Sequence, residues 1–112
     1  LCKIPIEVKQ LAEKQALKST MKHKIGAVIY NKKGIINSGY NRWLVVGGNF
    51  KNYCKSRYSI HSEQDALLGC DLRELWGSSI YVYRENGNLA KPCKHCESLL
   101  LSHGIKNIYW SG

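Results

Sequence analysis

His61-Ser62-Glu63 and, further along, Pro92-Cys93-Lys94-His95-Cys96 constrain this chain more than any other stretch. Together they offer one imidazole and two thiolates, a donor set for tetrahedral zinc, plus a carboxylate that need not touch the metal. A zinc that only staples a fold is closed by four protein ligands, whereas a catalytic one has three and keeps a corner for water. The obvious count here is three. Cys93 and Cys96 are spaced to meet on one side of a first helical turn, and Pro92 just ahead of them suits a helix start. A helix N-terminus also favours the thiolate form. His61 and Glu63 would point about 200° apart in mid-helix, so they converge only if His61 opens its helix. Gln64 to Cys70 reads as that helix.

The charge count then suggests chemistry. Zinc with two thiolates and a neutral imidazole is formally uncharged, and a water on such a metal loses a proton near neutral pH. Glu63 is the nearby group that could take that proton and pass it on.

The rest of the chain bounds where this could happen. A length of 112 residues predicts one domain over 1–112 with a modest core. There is no apolar run of roughly 18 residues and no charged segment leading into an apolar one, so neither a membrane span nor a signal peptide is expected. The chain begins with Leu1 rather than Met, which suggests a piece of a longer chain. Of five cysteines, Cys2, Cys54 and Cys70 show no framework spacing. That fits a reducing intracellular compartment, with a cytoplasmic location expected (the host's, if the chain is viral). A formal charge of +9 attracts polyanions, whether nucleotide phosphates or nucleic acid.

Val8, Leu11, Ala12 and Ala16 recur at helical spacing between Ile6 and Ser19, with lysines and Glu13 on the other face. Ile25 to Tyr30 and Ile35 to Tyr40 are β-rich runs joined by Asn31-Lys32-Lys33-Gly34, a hairpin signal. Their continuous apolarity predicts helices on both sides of the sheet. Asn41 to Ile60 is the least regular stretch, interleaving Trp43, Phe50, Tyr53 and Tyr58 with Arg42, Lys51, Lys55 and Arg57. Such a mixture suits a base that stacks and a phosphate that needs a cation. Beyond the His61 helix, Ser78 to Arg84 reads as a strand, Cys93 to His103 as a helix ended by Gly104, and Ile105 to Trp110 as a last strand. Strands alternating with helices predict an α/β fold with a partly parallel sheet, and a site where helices begin after strands.

The order H-x-E then P-C-x-x-C is the signature of zinc nucleobase deaminases. With Gly26-Ala27-Val28-Ile29, Ser38-Gly39-Tyr40-Asn41 and Gly104 to Tyr109 it covers most of the chain, which resembles the cytidine and deoxycytidylate deaminase superfamily. The likeness is greatest to its small deoxycytidylate-deaminase-like branch, which includes compact viral forms. The resemblance implies a three-layer helix-sheet-helix fold with a mixed sheet of four to five strands, commonly assembled as a homo-oligomer. It also implies hydrolysis of the 4-amino group of a cytosine nucleotide or nucleoside to uracil and ammonia. Carried over, His61, Cys93 and Cys96 would hold one zinc per chain, and Glu63 would shuttle protons. The Ser62 backbone would bond the base edge, and Asn41 would contact sugar or base. Arg42, Lys55 and Arg57 are candidate phosphate contacts from the aromatic and basic stretch. Ser62 departs from the usual Ala, and Lys91 stands where a smaller or acidic residue is common. The sequence stops at Gly112, about where many relatives add a further helix and strand.

Two other readings fit the same residues. One keeps the chemistry on a polynucleotide, either single-stranded DNA or RNA or an adenosine in tRNA, motivated by the charge and the basic aromatic stretch. The other is a structural zinc module with Cys54 or Cys70 as fourth ligand, binding nucleic acid without catalysis.

Overall fold

The computed structural model describes residues 4–44, 58–85 and 90–111. Cys2, Phe50, Tyr53, Cys54, Lys55 and Arg57 therefore lie outside the described residues.

Helix α1 (Ile6–Lys18) buries Val8, Ala12 and Ala16 of the anticipated stripe, together with Gln15, while Leu11 is only partly buried. Glu7 in its first turn and Lys18 in its last complement the helix dipole. Strands β1 (Ile25–Asn31) and β2 (Gly34–Tyr40) form the expected antiparallel hairpin, turning at Gly34, whose φ of 136° suits a residue without a Cβ. Strand β3 (Arg42–Leu44) pairs antiparallel with β4 (Tyr58–Ile60), in a ladder from Arg42 opposite Ile60 to Leu44 opposite Tyr58. The stretch read as irregular is thus closed at its base by two strands of three residues each, too short to carry an alternation signal. Helices α2 (Ser62–Leu67) and α3 (Leu72–Leu75) follow, then β5 (Ser79–Arg84), α4 (Lys94–Ser102) and β6 (Asn107–Trp110). The single turn of α3 was not legible as a helix; the Asp71 side chain caps it by accepting from the Arg73 N–H at 3.0 Å.

The main sheet runs β2-β1-β5-β6, with β5 antiparallel to β1 and β6 parallel to β5. This is the mixed four-stranded sheet between helix layers that the resemblance implies. Alternation along the strands assigns the faces. Val28 and Tyr81 pack with Val8 and Ala12 of α1. Ala27, Ile29, Ile80 and Val82 turn the other way, onto Ala66 and Leu67 of α2, Leu75 of α3 and Leu100 of α4. The central strands β1 and β5 are covered on both faces, whereas β2 and β6 at the edges are mostly exposed or half-buried.

The end of α4 sets its direction. The Gly104 N–H reaches the Leu101 carbonyl and the Ile105 N–H reaches the Leu100 carbonyl, both at 3.1 Å, with Gly104 at φ 84°. This is a Schellman stop, with Ile105 buried against the same core as Leu100. It delays the strand after α4 until Asn107, two residues later than the apolar run suggests. No helix among the described residues is long and apolar enough to cross a membrane.

Candidate active site

Two helix starts build the site. His61 is the N-cap of α2, in extended conformation (φ −76°, ψ 154°), so its side chain projects at the mouth of the helix instead of around its axis. Its carbonyl accepts the first helical bond from the Asp65 N–H at 2.9 Å, and its own N–H is satisfied by Gln64 Oε1 at 2.9 Å. Cys93 is likewise the N-cap of α4, with its carbonyl accepting from the Glu97 N–H at 2.8 Å. Cys93 Sγ accepts from the Cys96 N–H at 3.4 Å. The two cysteines therefore converge as an N-cap and the residue three beyond it, with Pro92 one position before the cap.

His61 Nδ1 lies 3.1 Å from Cys96 Sγ and 3.8 Å from Cys93 Sγ, and the three donor atoms fall within 4.8 Å of one another. Zinc bonds of about 2.0–2.1 Å to nitrogen and 2.3 Å to sulfur at tetrahedral angles place such donors roughly 3.5–3.8 Å apart. The residues fit the ion in spacing and chemistry. Cys96 is fully buried, and burial foremost, followed by the negative charge of Glu63, pushes its thiol well above the ordinary value. A thiolate there needs a cation beside it. Among the described residues this cluster has three members; Cys70 instead accepts from Asn37 Nδ2 at 3.3 Å and approaches the Ala66 carbonyl at the far end of α2.

Glu63 is only 5% exposed, and its Oε1 accepts a 2.6 Å hydrogen bond from Ser62 Oγ, itself fully buried. Both line a cleft of about 350 Å³ together with His61 and Cys93. Ile25, Ile60, Val82 and Ala90 give the cleft apolar walls, and Trp43 stands half-exposed at its side. The cleft opens where β5 ends, the position that open α/β sheets favour for ligands.

The remaining sequence candidates fall differently. Asn41 lines the cleft, but its amide is engaged by the backbone: Oδ1 accepts from the Ile25 N–H at 2.9 Å and Nδ2 donates to the His23 carbonyl. Arg42 is not among the lining residues. Its Nη2 lies 2.8 Å from Asp65 Oδ1, a pairing that raises the guanidinium pKa, while Asp65 Oδ2 accepts from the Tyr40 N–H at 3.1 Å. Arg42 thereby ties the start of β3 to the helix that carries Glu63. Lys55 and Arg57 lie outside the described residues. The cations that do line the cleft among the described residues are Lys22, Arg84 and Lys91, joined by the His23 ring, none of which the sequence marks as a cleft residue. Lys91 alone carried a signal, as an unusual residue before the Pro-Cys pair.

A mixed sheet between helix layers, with a His-Cys-Cys cluster where two helices begin, defines a deaminase domain of the zinc-binding class. The pattern of the cytidine and deoxycytidylate deaminase zinc-binding region runs over residues 5–111, and the chain belongs to that family. A deoxycytidylate deaminase of Mycobacterium phage D29 is 29% identical over 105 residues, covering 78% of this chain and 77% of the phage protein. Among solved structures, the dCMP deaminase of cyanophage S-TIM5 in complex with dCMP and dUMP superposes with a TM-score of 0.61. That match has 19% identity over 96% of this chain and 83% of the other. Cytidine deaminase from Mycobacterium tuberculosis gives a TM-score of 0.61 at 19% identity, over 95% of this chain and 82% of its own. At these identities the two structures speak to the fold.

Proposed function

We propose that this single domain is a zinc-dependent hydrolase that removes the 4-amino group of a cytosine nucleotide or nucleoside, of the deoxycytidylate type, giving the uracil form and ammonia. The observation that carries this reading is a three-member ligand cluster with a buried carboxylate, Glu63, lining the same cleft. The phage deoxycytidylate deaminase similarity supports the substrate type.

In this reading His61, Cys93 and Cys96 hold one zinc per chain, which supplies Lewis acidity that makes a water acidic enough to ionise near neutral pH. Glu63 takes the proton from the water that attacks C4 of the ring and delivers it to the ring nitrogen. It then takes the second proton, from the hydroxyl now on C4, and gives it to the amino group, so that the C4–N bond breaks, ammonia departs and the C4 carbonyl of the uracil form remains. At 5% exposure, Glu63 is shielded from bulk solvent. The backbone at Ser62 bonds the base edge, and Asn41 holds the segment around Ile25 and His23 against the cleft. The apolar walls accept the ring. An intracellular enzyme assembled as a homo-oligomer accords with this reading.

The test is direct. Zinc-loaded protein given dCMP, dCTP and cytidine releases ammonia with loss of cytosine absorbance from at least one of them. Glu63→Ala abolishes turnover while zinc stays near one per chain. Turnover surviving in that variant would refute the role of Glu63. A polynucleotide substrate is the second reading, favoured by the charge of +9. It predicts activity on single-stranded oligonucleotides that falls steeply with salt.

A further inference from the structure

The cleft has an ionic side that the deamination chemistry does not use. Lys22 and His23 reach it from the turn after α1, Arg84 from the last position of β5, and Lys91 from the approach to α4. Among the described lining residues the one acid is Glu63, at the buried end beside the His61-Cys93-Cys96 cluster. We propose, resting on the deaminase reading, that Arg84 and Lys91, with His23 and Lys22, form a phosphate-recognising wall that makes this site select a cytosine mononucleotide over the neutral nucleoside.

Three observations converge on that wall. Arg84 is a cation with an unused donor: its Nε is buried without a hydrogen-bond partner, and its Nη2 lies 2.8 Å from His23 Nδ1. A buried N–H left unsatisfied costs roughly 1–3 kcal/mol, so such a group in a cleft wall points to an acceptor brought by the ligand. Accepting from Arg84 leaves the His23 ring proton on Nε2, a further donor on the same side. The Lys91 ammonium is held 5.7 Å from the centre of the Trp110 ring, a contact that orients the charge without neutralising it. Among the described residues the ion pair present is Arg42 with Asp65, so no carboxylate lies within ion-pair distance of Lys22, His23, Arg84 or Lys91. The apolar walls and the cationic side together describe a ligand with a flat ring at one end and an anion at the other. A cleft of about 350 Å³ sits at the small end of the roughly 300–1,000 Å³ typical of small-molecule sites. That size suits one nucleotide better than a strand.

The experiment compares kcat/KM for dCMP and deoxycytidine, and separately measures calorimetric binding of the products dUMP and deoxyuridine, which needs no turnover. The wild-type protein should prefer the phosphorylated member of each pair by about a hundredfold or more, as two or more charge-assisted hydrogen bonds require. Arg84→Gln and Lys91→Gln should each reduce that preference about tenfold, chiefly through KM. Lys91 is exposed, so its variant remains informative should Arg84→Gln fail to fold. Equal use and equal binding of nucleotide and nucleoside would overturn the wall while leaving the deaminase reading intact. So would variants that weaken both members alike, or an oligonucleotide that outcompetes dCMP. Retained preference for dUMP with no turnover of any cytosine compound would overturn the deaminase reading and keep the wall.

Discussion

At Gly39 strand β2 lies close against α2, the helix that carries Glu63, and adding one methyl group there tests the architecture and the proposed chemistry together. A Cβ at Gly39 would stand 2.5 Å from the Ala66 nitrogen and 2.8 Å from the Asp65 carbonyl carbon, both backbone atoms of α2. Ordinary contact begins near 3.4 Å, so in Gly39→Ala the helix must retreat by roughly 0.9 Å. It cannot do so freely. Asn37 Nδ2 binds the Ala66 carbonyl at 2.8 Å, and Asp65 is tied to the Tyr40 N–H and to Arg42. Overpacking of this kind costs about 1–3 kcal/mol, and the rigid backbone neighbours place it at the upper end. For a chain of this size that is a melting-temperature loss of roughly 10 °C. Glu63 lies one turn before Ala66, and a displacement near 1 Å at the chemistry costs on the order of a hundredfold in rate. Gly26→Ala is the matched control. Its Cβ would meet the Ala12 carbonyl oxygen on α1, which carries no member of the ligand cluster. That variant should melt early too, yet keep a kcat per folded molecule near wild type. Thermal melts and cytosine-absorbance kinetics read both variants. A Gly39→Ala protein that melts within about 2 °C of wild type and turns over normally would refute the close approach of β2 to α2.

Other perturbations separate the roles around the site. In Ser62→Ala the hydroxyl no longer occupies Glu63 Oε1, so kcat should hold or rise; a tenfold fall in steady-state rate would show that Glu63 depends on that bond. Asp65→Ala removes the acceptor of the Tyr40 N–H and the partner of Arg42, and should lower stability by about 1–3 kcal/mol in denaturant titration, with the loss shrinking as salt screens the pair. Cys96 in the metal-free protein carries a raised thiol pKa, so the folded state resists ionisation that the unfolded chain undergoes freely. Stability of the chelated protein should therefore fall as pH rises past the ordinary thiol value of 9.0, a decline smaller in Cys96→Ala, as melts at successive pH values would record. Zinc uptake by the same thiol displaces a proton, so zinc affinity should weaken as pH falls below neutral, which competition with a chromogenic chelator measures.

What this sequence determines by itself is what depends on short spacing. The separation of Cys93 from Cys96, and of His61 from Glu63, dictates what the start of a helix can present, because the geometry of a single turn is local. The apolar stripe of α1, the Gly104 stop of α4 and the β-rich runs that become β1 and β2 are legible for the same reason. Only the tertiary structure decides which distant groups meet. Arg42 reads as a free cation until the crossing of β2 over α2 delivers Asp65 to it. Arg84 and His23 are 61 residues apart, and no periodicity in the chain foretells that they touch. Gly26 and Gly39 look like ordinary strand residues until helix backbones are laid against them from opposite sides. The three-residue strands β3 and β4 exist because each completes the other's hydrogen bonds, a condition that neither segment encodes alone.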